Sequence, residues 1–168
     1  PNVLCISIHQ DGRTLYPGTG FCEEKGGPNS WGSIVNIPLP PGIGDEGFLY
    51  ALEKWAMPAV REFKPDIIIN SAGQDNHFTD PLASMNVTAR GYGKITEMIS
   101  PDLAVLEGGY SVETALPYIN MGIIMAMAGL DYSNLREPDY ARENFRESPR
   151  NLELIKKTVQ TQLERFRN

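Results

Sequence analysis

Asp75 and His77 are a pair of residues whose types and spacing could bind a metal ion. They follow an apolar run at residues 67–69 that is typical of a buried strand, so Asp75 is expected where that strand ends. Open α/β sheets bind ligands at the carboxyl ends of their strands. Because alternate residues of an extended segment share a face, an Asp-x-His pair there would offer two ligands to a divalent metal. The alternative is that both side chains cap turns or form hydrogen bonds within the loop.

Tyr110 is a second side chain that could do chemistry at the same edge of the sheet. It closes the segment Glu107-Gly108-Gly109-Tyr110, at the end of another predicted strand. Paired glycines allow positive φ or a close approach of the backbone to a ligand. A tyrosine hydroxyl in this place would donate a hydrogen bond to an oxyanion. The alternative is a core tyrosine with a single hydrogen-bond partner.

The elements that would position these groups alternate between strands and helices. The predicted strands, most of them nearly continuous apolar runs, are residues 3–8, 33–37, 66–70 and 103–107. The predicted helices, with apolar residues every three to four positions, are residues 45–63, 88–99, 112–130 and 149–166. Asp45 and Thr88 are the expected N-caps of the first two helices. This order predicts an α/β fold with a parallel sheet and helices on both faces.

Several local signals refine this plan. Pro58 predicts a kink or a break inside the first helix. Residues 112–130 are hydrophobic nearly all round, which predicts a buried helix. The long glycine-rich loop at residues 10–32 contains Tyr-Pro-Gly-Thr-Gly, which could form one wall of a pocket or a plain turn. Residues 131–148 are polar and are predicted to lie at the surface.

The composition is that of a soluble globular protein. A chain of 168 residues suits one domain, and 41% hydrophobic and 21% charged residues are ordinary values. The net charge of −6 argues against nucleic acid as a direct partner. No apolar run reaches about 18 residues, so no membrane span is predicted. Cys5 and Cys22 do not make a disulfide framework and are expected to be reduced thiols in a cytoplasmic protein.

Five short motifs carry more information together than any of them does alone. In chain order they are Ser-Ile-His, Tyr-Pro-Gly-Thr-Gly, Asn-Ile-Pro-Leu-Pro-Pro-Gly, Ser-Ala-Gly-x-Asp-x-His-x-x-Asp-Pro-Leu and Leu-Glu-Gly-Gly-Tyr. In this order and spacing the chain resembles the carboxyl-terminal half of the histone deacetylase family, over residues 3–125. That family includes bacterial and archaeal deacetylases, acetoin-utilisation proteins and acetylpolyamine amidohydrolases. The resemblance implies a three-layer α/β/α, arginase/deacetylase-like fold, with residues 1–168 as the carboxyl-terminal part of one domain.

The resemblance also implies roles for individual residues. Asp75 matches a zinc-ligating aspartate, and Tyr110 matches the tyrosine that polarises the amide carbonyl and stabilises the oxyanion. The residues that match the acyl-lysine channel are Tyr16, Leu82, Gly108 and Gly109. Ser7 and the Ile8 carbonyl match positions around a structural monovalent cation, a K⁺, in some members. The histidine after the ligand aspartate is not a zinc ligand in this family, so the resemblance argues against His77 as one.

The ligand set that the resemblance implies is incomplete in this chain. The family's other zinc ligands and its two catalytic histidines lie upstream of Val3, and the chain holds only His9 and His77. A catalytic zinc takes three protein ligands, and its water needs a general base. The chain also opens on Pro1-Asn2, one step before a predicted strand. We therefore expect half an active site, completed by an amino-terminal part in the same or another chain.

Two functions fit these observations. The first is a zinc-dependent amidohydrolase that removes acetyl or other acyl groups from an amine such as acetyl-lysine or acetylpolyamine. The second is a binding or assembly module that keeps the deacetylase fold without metal or catalysis. The sequence just upstream would discriminate between them, because a His-His pair and an Asp-x-His favour the enzyme.

Overall fold

The computed structural model of the protein describes residues 2–139 and 149–167 and contains two parallel strand pairs. Strand β1 (Cys5–Gln10) pairs with β2 (Ile34–Leu39), and β3 (Ile69–Ala72) pairs with β4 (Leu103–Leu106). The predicted α/β class with parallel strands is therefore confirmed. The described strands nevertheless form two two-stranded sheets, where the sequence predicted one sheet.

The segment predicted as one helix at residues 45–63 consists of three helical pieces. Helix α1 (Asp45–Ala51) leads into a π-helical turn (Leu52–Ala56) and then into α2 (Met57–Phe63). Pro58 lies in the first turn of α2, where a missing N–H is tolerated, so the predicted irregularity falls just before it. The prediction of Asp45 as the N-cap was wrong, because Gly44 holds that position.

The next two helices lie beside the strand ends that carry the candidate site. Helix α3 (Ala89–Ile99) begins after Thr88, whose side chain accepts a hydrogen bond from the Gly91 N–H at 3.0 Å, so this predicted N-cap is confirmed. Helix α4 (Leu116–Met127) packs against α3. The prediction of burial all round was wrong for α4, because only one of its faces meets α3. Ile124 on the other face is 64% exposed.

The last helix, α5 (Pro149–Arg167), contacts the core at α1, β2 and the π-helical turn. Its Ile155 and Val159 are fully buried, and α5 packs against α1. Residues 140–148 of the predicted surface segment lie outside the described residues. Within the described part of the chain, no helix combines the length and the apolar character needed to cross a bilayer.

The core is fullest around β2 and thinnest at β3 and β4. The fully buried side chains include Ile37, Leu39, Ile43 and Ile119. Strands β3 and β4 expose apolar side chains instead, although the sequence predicted strands covered on both faces. The exposed side chains are Ile69, Leu103, Val105 and Leu106.

Candidate functional site

Asp75 lies in the turn after β3, next to the turn after β4, as the sequence predicted. Its Oδ1 would lie 3.1 Å from a Cβ built on Gly73 and 3.6 Å from one built on Gly108. The Gln74 N–H donates to the Gly108 carbonyl at 3.4 Å, which joins the two turns. The carboxylate thus sits against the backbone of both strand ends, where glycine leaves room for it.

The surroundings of Asp75 disfavour its negative charge. Burial of the carboxyl group raises its pKa, and the nearby charge of Asp80 raises it further. A bound cation would offset both effects, so Asp75 fits one ligand of a metal ion. Among the described residues, however, no group of three His, Cys, Asp or Glu side chains could hold a metal ion. These residues therefore do not make a complete zinc site, which takes three protein ligands.

Tyr92 supports the Asp75 turn from helix α3. This buried side chain donates its hydroxyl to the Gly73 carbonyl at 3.1 Å. Burial raises the pKa of Tyr92 well above its usual range, and the charge of Asp75 adds to the shift, so the phenol remains a donor. Tyr92 was not predicted as a site residue, because its place on the predicted helix indicated packing alone.

Tyr110 presents its phenol at the surface while its backbone is held from beneath. The side chain is 53% exposed, which does not suit the alternative of a core tyrosine. The Tyr110 N–H donates to Asp80 Oδ2 at 2.8 Å, and the Leu82 and Ala83 N–H groups donate to Asp80 Oδ1 at 2.9 and 3.3 Å. The buried Asp80 carboxylate thus joins the turn that contains Leu82 to the turn that contains Tyr110. This role of Asp80 was not predicted from the sequence, although Asp-Pro is a turn signal that indicates a structural role for the aspartate.

The two glycines before Tyr110 both adopt positive φ, +78° at Gly108 and +107° at Gly109. A Cβ at Gly109 would lie 2.7 Å from the Gln74 Cβ, and Gln74 is itself buried. This position therefore needs glycine for its backbone conformation and for space. Tight packing against Gln74 links the glycine turn to the residue before Asp75.

Replacement of Gly109 offers a test of this packing. Gly109→Ala should lower the free energy of unfolding by about 1–2 kcal/mol for the left-handed backbone and by about 1–3 kcal/mol more for the overlap. Gly129→Ala is a matched control, because Gly129 has φ +66° and, apart from its chain neighbours, no described residue places a heavy atom within 4 Å of an added Cβ. Urea denaturation measures both losses. Equal losses in the two variants would contradict the packing argument.

His77 does not converge with Asp75 on a shared site. The ring is fully buried, with Nδ1 2.9 Å from Thr79 Oγ1 and Nε2 3.2 Å from Glu137 Oε1. Both ring nitrogens are therefore engaged in hydrogen bonds. Of the two alternatives for His77, the structure favours a histidine that organises its loop.

Glu137 was predicted to lie in a polar surface segment, and this prediction was wrong. The side chain is buried because its Oε1 meets His77 and accepts the Ala89 N–H at 2.5 Å, at the start of α3. Burial works to raise the pKa of Glu137, but the hydrogen bonds from His77 and Ala89 outweigh it, so the pKa is lowered. No periodic pattern in the sequence pointed to this residue.

The remaining predicted site residues are those of the cation site and of the channel wall. The Ser7 hydroxyl lies 2.8 Å from His9 Nδ1, and His9 Nε2 donates to the Gly20 carbonyl at 3.0 Å. These bonds tie β1, on which Ile8 also lies, to the long loop, and the cation site at Ser7 and Ile8 stays a prediction. Tyr16 and Leu82 both expose most of their side chains, and their place in a channel also stays a prediction.

Comparisons with known proteins point in one direction. Residues 1–124 match the family model described as "Histone deacetylase domain". A probable deacetylase of Archaeoglobus fulgidus is 54% identical over 146 residues, which cover 82% of this chain and 40% of that protein. Acetoin utilization protein AcuC of Bacillus subtilis (strain 168) is 34% identical over 149 residues, covering 83% of this chain and 38% of that protein.

Solved structures agree with these sequence matches. The structure of the histone deacetylase Clr3 superimposes with a TM-score of 0.80 at 27% identity, covering 99% of this chain and 28% of that chain. The chain thus spans about two fifths of the length of the curated relatives described above.

Proposed function

This chain belongs to the histone deacetylase family, and from that premise we propose that the whole protein is a zinc-dependent amidohydrolase. Its substrate would be an acylated amine such as acetyl-lysine or an acetylpolyamine, and its products would be acetate and the free amine. The observation that carries this proposal is the placement of Asp75 and Tyr110 after two paired parallel strands, β3 and β4. The names of two relatives, a probable deacetylase and a histone deacetylase, suggest this class of reaction and do not select one substrate within it.

In this proposal, the two side chains have separate tasks. Asp75 would bind zinc through its carboxylate, whose negative charge is disfavoured by its surroundings when no cation is bound. Zinc, when bound, polarises the acyl carbonyl and lowers the pKa of the attacking water. Tyr110 would donate its hydroxyl to the oxyanion that develops on the substrate carbonyl. Because Asp80 fixes the Tyr110 backbone, this donor would need little rearrangement when the substrate binds.

The rest of the proposed site concerns access and support. Tyr16, Leu82 and the turn at Gly108 and Gly109 would line the channel that admits the acyl chain. A structural K⁺ beside Ser7 and the Ile8 carbonyl belongs to the same proposal, and the Ser7 hydroxyl is the side-chain oxygen available to it.

We further propose that the remaining ligands and the general base come from a part of the protein outside these 168 residues. Both histidines of the chain are engaged in hydrogen bonds, His9 with Ser7 and Gly20, and His77 with Thr79 and Glu137. The exposed apolar side chains of β3 and β4 offer a surface that such a part would cover.

An assay of acetate release tests the proposed function. The whole protein should release acetate from an acetyl-lysine peptide or an acetylpolyamine, lose this activity on chelation and regain it with Zn²⁺. The 168-residue chain alone should release none, because two of three ligands and the base would be missing. A whole protein that binds no zinc and releases no acetate would favour the binding module. Acetate release by the chain alone would contradict the shared site.

A further inference from the structure

A line of buried and partly buried hydrogen bonds connects Glu137 to Ser111, the residue after Tyr110. Glu137 meets His77 Nε2, and His77 Nδ1 lies 2.9 Å from the Thr79 hydroxyl. The Thr79 Oγ1 then lies 2.8 Å from Ser111 Oγ. The Thr114 hydroxyl donates to Thr79 at 3.0 Å and also contacts Ser111, which closes a cluster of three hydroxyl groups.

The orientation of the His77 ring follows from its partners. The Thr79 backbone N–H donates to His77 Nδ1 at 3.2 Å, so Nδ1 accepts and carries no proton. Nε2 then carries the proton and donates to Glu137. Because Glu137 also accepts the Ala89 N–H at the start of α3, the ring is anchored to a helix on one side and to the Thr79 turn on the other.

The position of Tyr110 depends on this turn. With about half of its side chain exposed, Tyr110 owes its placement chiefly to its backbone. Asp80 holds the Tyr110 N–H, and Thr79 holds the hydroxyl of Ser111. The Asp80 N–H in turn donates to the His77 carbonyl at 2.9 Å. Two adjacent residues of one turn thus fix two adjacent residues after β4.

We propose that His77, held by Glu137, is a positioning residue for Tyr110 and acts through Thr79 and Ser111. This inference rests on the proposed function, in which Tyr110 donates to the oxyanion. An oxyanion donor must form its hydrogen bond with the substrate oxygen at the position that this oxygen reaches only in the transition state. A small displacement of Tyr110 therefore lowers kcat and leaves substrate binding almost unchanged.

Thr79→Val in the whole protein removes the hydroxyl link while it keeps the shape of the side chain and the N–H that donates to His77. Its kcat should fall about tenfold, with KM and zinc content unchanged. Glu137→Ala should lower kcat by a similar factor. Glu137→Gln keeps an acceptor oxygen and should retain most of the kcat of the unmodified protein. Thr96→Val is the matched control, because Thr96 is a buried threonine whose hydroxyl donates to the Tyr92 carbonyl. Its kcat should not change.

A second measurement repeats Thr79→Val in a Tyr110→Phe background. If Thr79 acts through the Tyr110 hydroxyl, the double variant should be no slower than Tyr110→Phe alone. A further tenfold fall in the double variant, or loss of zinc in Thr79→Val, would overturn this inference while the proposed function stands. An unchanged kcat in Tyr110→Phe alone would instead overturn the proposed role of Tyr110, and this inference with it.

Discussion

Asp75→Ala should strip zinc from the whole protein and reduce acetate release to background. A catalytic zinc takes three protein ligands, and removal of one leaves too few to retain it. Metal analysis of the purified protein gives the zinc content per chain, and the acetate assay gives the activity. Asp131→Ala is a suitable control, because Asp131 is an exposed carboxylate that accepts hydrogen bonds from the backbone N–H and the side chain of its neighbour Ser133. That variant should keep both zinc and activity.

Asp75→Asn separates loss of the metal from loss of the fold. The pKa of Asp75 is raised by burial and by Asp80, so the folded protein disfavours the ionised carboxylate. A neutral amide of the same shape should therefore keep or raise the melting temperature of the metal-free protein while zinc binding weakens. Stoichiometric zinc in Asp75→Ala would contradict the assignment of Asp75 as a ligand.

Tyr110→Phe should lower kcat by roughly 10²–10³, the loss expected for one oxyanion donor. KM, zinc content and melting temperature should stay unchanged, because the side chain is half exposed and the Tyr110 N–H still reaches Asp80. Steady-state kinetics on an acetyl-lysine peptide measure both constants.

Tyr118→Phe is the matched control for this variant. Tyr118 lies on α4 and packs against the core, so its replacement removes one hydroxyl from a partly buried tyrosine elsewhere. Its kcat should match that of the unmodified protein. A rise in KM with kcat unchanged in Tyr110→Phe would mean that Tyr110 only packs against the substrate.

Much of the scaffold could be predicted because its signals are local. Apolar runs located all four described strands to within a few residues, and Thr88 marked the start of α3. Asp45 carries an N-cap signal as strong as that of Thr88, yet its carboxylate accepts the Thr88 N–H at 2.8 Å. A side chain that can cap its own helix can instead form a hydrogen bond with the backbone of a neighbouring element. The local sequence does not distinguish these two outcomes.

Burial was harder to predict than secondary structure. Residues of α4 are apolar on every side, but only the face towards α3 is covered by described residues. The periodicity of apolar residues indicates which faces of a helix could be buried. The elements that pack against the helix in the folded structure decide which of those faces are buried.

The sequence by itself determined which residue types stand after the strands, and so the family and the candidate roles of Asp75 and Tyr110. Those features depend on spacing along the chain, which motifs record directly. Only the tertiary structure decided that Glu137 reaches His77 across 60 residues and that Asp80 holds the Tyr110 backbone across 30. Such pairs form where loops cross, and loops carry no periodic signal. These hydrogen bonds form because burial removes the polar groups from water, so that each group needs a hydrogen-bond partner within the protein.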